Sequence, residues 1–185
     1  MSRLWLVRHG PTHAKAMIGW TDLPADLSDQ AALDRLSAAL PDAPIVSSDL
    51  SRARATAEAL QQDRPMLAPD PALREIHFGD WEGLTHDEAE ARDRAALFAF
   101  WDAPGTAAAP GGESWDGFAA RTDAAIAALL TAHAEIVVVC HFGVILRQLQ
   151  RARRITAREG FAQTCAPLSL SLIDGTTVVF ADHQP

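Results

Sequence analysis

Three short apolar runs, at residues 4–7, 44–46 and 136–140, each stop at polar residues, and segments of helical periodicity separate them. A strand buried on both faces reads as such a run, because neither face meets water. Between the first two runs, Leu33, Leu36 and Leu40 recur at helical spacing, which predicts a helix over 27–40 with Ser28 as its cap. After the second, Ala53, Ala57 and Leu60 mark one face of a helix reaching about residue 61, with Ser48 or Asp49 available to cap it. Residues 85–101 read as a helix, and Ser114 caps another whose apolar face includes Phe118, Ala125 and Leu129. A further helix follows the third run, to about residue 151.

Residues 66–73 are proline-interrupted and extended, 78–84 form a glycine-bracketed turn, and 102–112 form a loop of alanine, proline and glycine. Residues 168–173 and 177–180 flank Asp174-Gly175, the mark of a β-hairpin. Strands alternating with helices predict an α/β fold of three layers, α/β/α: a mostly parallel central sheet covered on both faces, with an antiparallel hairpin strand at one edge. No repeat or long linker divides the 185 residues, so residues 1–185 are expected to form one domain.

The net charge of −8 argues against a nucleic-acid or membrane-surface partner, either of which calls for a basic field. No apolar run approaches the roughly 20 residues of a membrane span, and the 4–7 run is too short for a signal-peptide core. Two cysteines, Cys140 and Cys165, make no disulfide framework and no zinc spacing, which points to a reducing cytoplasm. Lys15 is the only lysine; the remaining cations are arginines, whose planar fork of donors matches phosphate oxygens.

The polar residues that end the three strands are Arg8-His9-Gly10, Ser47-Ser48-Asp49 and His141-Phe142-Gly143. In open α/β sheets ligands bind beyond the carboxyl ends of the strands, an arrangement that would bring His9 and His141 to one crevice. Helices starting after these turns add free backbone N–H groups and partial positive charge, both favourable to an anion. A lone histidine is more often a packed or surface residue than a catalyst; two at the carboxyl ends of two strands are as readily the one as the other.

Five blocks in order along the chain carry a resemblance: Leu6-Val7-Arg8-His9-Gly10-Pro11-Thr12, Ser47-Ser48-Asp49-Leu50-Ser51-Arg52-Ala53, Leu73-Arg74-Glu75-Ile76-His77-Phe78-Gly79-Asp80-Trp81-Glu82-Gly83, Pro110-Gly111-Gly112-Glu113-Ser114 and Val138-Val139-Cys140-His141-Phe142-Gly143-Val144-Ile145. Together they resemble the signature of the histidine phosphatase (phosphoglycerate mutase-like) superfamily.

That resemblance implies a catalytic set of His9, Glu75 and His141. His9 is the nucleophile that takes a phosphoryl group, Arg8, Arg52 and His141 clamp the phosphate oxygens, and Glu75 is the general acid and base. With arginines neutralising the phosphate, neither a metal nor another cofactor is called for, and the ligand is a small phosphorylated metabolite. Lys15 stands where many members carry asparagine; it serves either as a longer phosphate contact or as a solvent-facing lysine. Thr21, in Gly19-Trp20-Thr21-Asp22-Leu23-Pro24, is a further candidate phosphate contact, although the glycine that usually follows is missing.

Arg54, two residues beyond Arg52 on a helix, is expected to be solvated. Glu113-Ser114, Trp81 and Glu82 are expected to be structural, and His13 and His77 bystanders. Arg147, Arg151, Arg153, Arg154 and Arg158 read as a solvated basic face near a helix C-terminus. The compact length favours hydrolysis over mutase chemistry, and two blocks also resemble α-ribazole 5′-phosphate phosphatases. A phosphoglycerate-type mutase and a non-catalytic phospholigand-binding regulator are the alternatives, and the oligomeric state is left open.

Overall fold

A computed structural model describes residues 2–185. Five strands form one sheet in the order β2-β3-β1-β4-β5: β1 Arg3–Arg8, β2 Ile45–Ser47, β3 Glu135–Cys140, β4 Leu170–Asp174 and β5 Thr177–His183. β1, β2 and β3 run parallel, while β4 pairs antiparallel with β1 and β5 antiparallel with β4. The sheet is thus parallel at its centre, and both hairpin strands, rather than one, close its edge. The hairpin turns through Gly175-Thr176, since Asp174 pairs with Thr177, and Gly175 supplies a φ of 60° at the first central position.

Alternate residues of each strand feed two cores. Val7, Val137 and Val139 face one cluster with Leu33, Leu36, Leu40, Ala53, Ala57 and Leu60 of α1 (Gln30–Ala39) and α2 (Ser51–Leu60). Leu4, Leu6, Ile136 and Val138 face the other, with Leu97, Phe118, Ile126 and Leu149 from α3 (His86–Asp102), α4 (Trp115–Ala132) and α5 (Phe142–Arg153). The α/β/α layering follows directly from this period of two. No helix among the described residues is long and apolar enough to cross a membrane.

Helix starts depart from the sequence reading in instructive ways. Asp29, not Ser28, caps α1 by accepting from Ala32 N–H at 2.9 Å. Neither Ser48 nor Asp49 caps α2; its first N–H, that of Ser51, donates to Asp22 Oδ1 at 2.8 Å across the chain. α3 breaks at Asp93 (φ −152°, ψ 85°), whose carboxylate accepts from Ala96 N–H and recaps the second half. A short α6 (Ala157–Phe161), opened by a Thr156/Glu159 capping box, has no counterpart in the predicted elements.

The ends of α1 and α2 are joined by Arg64, which is 7% exposed. Its guanidinium donates to the carbonyls of Pro41 (2.7 Å), Ser37 (2.8 Å), Leu60 (2.9 Å) and Leu40 (3.0 Å), acceptors that helix ends otherwise leave unpaired. Replacement by methionine leaves the carbonyls of Pro41 and Leu40 without a donor, whereas that of Ser37 keeps Leu40 N–H and that of Leu60 keeps Ser37 Oγ, so Arg64→Met should lower unfolding free energy by about 3 kcal/mol in urea titration. A loss below about 1 kcal/mol would mean that water reaches those carbonyls.

Candidate active site

The register of β1 against β3 pairs Arg8 with Cys140, so the next residues, His9 and His141, leave adjacent strands side by side. His9 N–H still donates to Cys140 O at 3.0 Å, and the two imidazole rings lie edge to face with centroids 5.1 Å apart. His9 is buried. Its Nδ1 lies 2.7 Å from Gly10 O, an atom that can only accept, so Nδ1 carries the proton and Nε2 keeps its lone pair. Burial, reinforced by the Arg52 and Arg8 charges and opposed by the Gly10 hydrogen bond, lowers its pKa to about 3.

Arg52, in the first turn of α2, is 1% exposed and donates through Nε to His9 Nε2 at 3.2 Å. Its remaining arms donate to Thr21 O (2.9 Å) and Gly19 O (2.6 Å), which fix the guanidinium against the imidazole. Arg8 donates to Cys165 O and lies 5.3 Å from the centroid of the Phe142 ring, while its Nε is buried without a partner. His141 is fully buried and both its ring nitrogens lack partners. Burial, with His9 and the arginines adding to it, holds its pKa well below the usual imidazole range. Buried polar atoms are nearly always paired, so orphans gathered at one place call for a ligand.

Glu75 closes the site. Its Oε1 accepts from Ile76 N–H at 2.9 Å and its Oε2 from Gly143 N–H at 3.0 Å. Those bonds favour the carboxylate, but complete burial outweighs them and raises the pKa, so a proton is held more firmly than on an ordinary glutamate. Glu75 does not pair with Arg74, which instead grips Asp49 through two bonds of 2.7 and 2.5 Å. Three braces hold the segment. Trp20 Nε1 donates to Glu75 O at 2.8 Å, Arg121 donates to the carbonyls of Ala72, Arg74 and Glu75, and Glu113 receives both Arg121 and His77 N–H.

Arg8, His9, Thr12, Ala14, Ala16, Ile18, Arg52, Glu75, Phe78 and Phe142 line one cleft of about 280 Å³. Among the described residues neither Arg8 nor Arg52 enters an ion pair, whereas Arg74, Arg121 and Arg147 all do. Two sequence candidates are not brought here. Lys15 is exposed and lies between two lining residues, Ala14 and Ala16, without lining the cleft itself. Thr21 spends its hydroxyl on Glu82 Oε2 at 2.7 Å and contributes only its carbonyl, to Arg52.

Glu82 also accepts from the N–H groups of Gly19, Trp20, Thr21 and Phe78, which makes it the fastener of this loop. Trp81 is core, His77 stacks on Trp20, His13 bonds Asp26 at the surface, and Arg54 is solvated. Arg121 is the supporting residue that sequence reading missed; a lone arginine within a helix carries no signal until Glu113 and the 72–75 carbonyls surround it. Metal-ligand residue types converge at His86, Asp87 and Glu90, at the start of α3 and outside the cleft.

An α/β sheet that ends in a neutral histidine, two arginines outside any ion pair and a protonable carboxyl presents a crevice suited to an anion. The chain belongs to the histidine phosphatase superfamily (branch 1), whose family description matches residues 4–180. It is 39% identical over 112 residues, 55% of its length, to glucosyl-3-phosphoglycerate phosphatase of Mycobacterium tuberculosis, and that match spans half of the relative. It is 32% identical to adenosylcobalamin/alpha-ribazole phosphatase of Salmonella typhimurium, over 77% of this chain and 75% of the relative. The solved structure of Bacillus stearothermophilus YhfR superposes with a TM-score of 0.84 at 30% identity, covering 96% of this chain and 94% of that one. The superfamily and the phosphoglycerate mutase-like fold expected from the sequence are thereby borne out.

Gly143 tests the expectation that Glu75 supplies the proton. A Cβ there would lie 2.3 Å from Glu75 Oε1, so the carboxyl must swing aside. Gly143→Ala should fold yet lose about 100-fold in kcat on an alkyl phosphomonoester. With p-nitrophenyl phosphate, whose leaving group departs without a proton, the loss should be under about 10-fold. Equal losses on both substrates would count against Glu75 as the affected group.

Proposed function

We propose that this protein is a phosphomonoesterase that needs no metal and hydrolyses a small phosphorylated metabolite through a phosphohistidine on His9. The observation that carries this reading is the neutral Nε2 of His9, with its tautomer set by Gly10 and its lone pair beside Arg52. In the first step Nε2 forms a bond to phosphorus while the ester P–O bond breaks in line, and Glu75 gives its proton to the departing alkoxide oxygen. In the second, the Glu75 carboxylate takes a proton from water, the water oxygen bonds to phosphorus, and the P–N bond breaks to release phosphate. Arg8, Arg52 and His141 meet the charge that spreads over the three equatorial oxygens, and most of the acceleration in such chemistry comes from donors already in place for that charge.

The names of the relatives point to phosphorylated small molecules, α-ribazole 5′-phosphate and glucosyl-3-phosphoglycerate among them. The cleft lining speaks against a phosphoglycerate mutase. Its cations are Arg8 and Arg52, both beside His9 and Glu75, and among the described residues no further cation lines it for a substrate carboxylate.

Phosphate release from p-nitrophenyl phosphate, α-ribazole 5′-phosphate and 3-phosphoglycerate, with chelator present, tests the reaction. Release should survive chelation and vanish in His9→Ala; wild-type turnover in that variant ends the phosphohistidine mechanism. The pH dependence has a defined sign. His9 attacks when deprotonated, and with a pKa of about 3 it sets no limb above roughly pH 4. Glu75 acts when protonated, and its pKa is raised, so kcat/KM should fall as pH rises through that value. Glu75→Gln should remove that alkaline limb and lower the rate about 10²–10⁴-fold in stopped-time assays across roughly pH 4–9.

A further inference from the structure

The Glu82 carboxylate engages both oxygens on one short turn and its neighbour. Oε2 accepts from the N–H groups of Gly19 and Thr21, each at 3.1 Å, and from the Thr21 hydroxyl at 2.7 Å. Oε1 accepts from the N–H groups of Trp20 at 2.8 Å and Phe78 at 3.1 Å. Three successive N–H groups thus face one carboxylate, as backbone does around a bound anion. Partial burial works against the charged form, but the bonds from Thr21, Trp20 and Phe78 outweigh it and hold the pKa below the usual glutamate range. A Cβ on Gly19 would collide with Ile76 O and with Glu82 Oε1, so the turn is seated closely against the segment that carries Glu75.

With its N–H groups held on Glu82, the turn directs two of its carbonyls to Arg52: Gly19 O to Nη2 at 2.6 Å and Thr21 O to Nη1 at 2.9 Å. A guanidinium has five N–H donors. Arg52 places Nε on His9 and one N–H of each terminal nitrogen on the turn, which leaves one N–H on each terminal nitrogen for an anion. Arg52 lines the cleft and Glu82 does not. We propose that Glu82 is a positioning residue for phosphate: acting through Gly19 and Thr21, it fixes the plane of the Arg52 guanidinium and so selects the two N–H groups that meet the phosphate oxygens. The assignment rests on the phosphatase reading for the anion that Arg52 meets. Without the carboxylate Arg52 keeps its charge and loses its direction.

A double-mutant cycle over wild type, Glu82→Gln, Arg52→Lys and the double variant tests this, with calorimetry on inorganic phosphate and initial rates on p-nitrophenyl phosphate. Glutamine fills the same space but offers one accepting oxygen and a donor in place of two acceptors. Glu82→Gln should weaken phosphate binding about 10-fold and lower kcat about 30-fold. With Arg52→Lys, whose ammonium has no plane to fix, the same substitution should change either quantity less than about 2-fold. Full losses in both backgrounds would make Glu82 a general brace and overturn the proposal. So would a Glu82→Gln protein that matches the wild type, or a wild type that binds no phosphate. Should Glu82→Gln fail to fold, Glu82→Asp, which keeps the charge one methylene further back, takes its place in the same cycle with the same criterion. Coupled losses in phosphate binding without turnover of any ester would sustain the positioning role and end the phosphohistidine reading. Turnover with uncoupled losses would do the reverse.

Discussion

Parallel pairing of β1 with β3 is the constraint on which the site depends. The pairing sets Arg8 opposite Cys140, and through it His9 beside His141, from positions far apart in the chain. A slip of one residue would turn every side chain of β1 to the other face of the sheet, exchanging Leu4 and Leu6 for Trp5 and Val7 in the two cores. The site therefore inherits its precision from hydrophobic burial on both faces, the strongest ordering force the chain has.

Burial that secures the register also sets the electrostatics. His9 and His141 are held neutral and Glu75 is biased towards its protonated form, each by loss of water more than by any neighbouring charge. Two ion pairs lie around these groups without touching their side chains: Asp49 with Arg74, and Glu113 with Arg121, whose guanidinium also holds the carbonyls of Ala72, Arg74 and Glu75. An acidic protein has in this way kept two arginines free of carboxylate partners at the one place where a phosphate would use them.

Strands, layers and the meeting of His9 with His141 were legible because apolar runs and their polar ends are local signals. Arg52 was separable from Arg54 by helical geometry alone, and the structure has the first buried and the second solvated. Long-range capping was not legible. That Asp22 rather than Asp49 would serve α2, leaving Asp49 to Arg74, depends on which loop folds against which helix. The same holds for Thr21 and Lys15: a sequence block sets their order, while Glu82 and the alternation of the 12–18 segment decide which atoms face the cleft. Nor was the small aromatic cavity beside Glu75 legible, since its Phe100, Trp101, Trp115 and Phe161 belong to three helices whose convergence no local period reports.

Thr12, Ala14, Ala16 and Ile18 form one side of the cleft, and none of these side chains holds Arg52, His9 or Glu75 in place. The arginine hangs from the carbonyls of Gly19 and Thr21, and those hang from Glu82. The 12–18 wall and the bonds that set Arg52 against His9 thus rest on separate supports. A lineage carrying this fold can exchange small side chains along the 12–18 wall without disturbing the bonds that hold Arg52 beside His9.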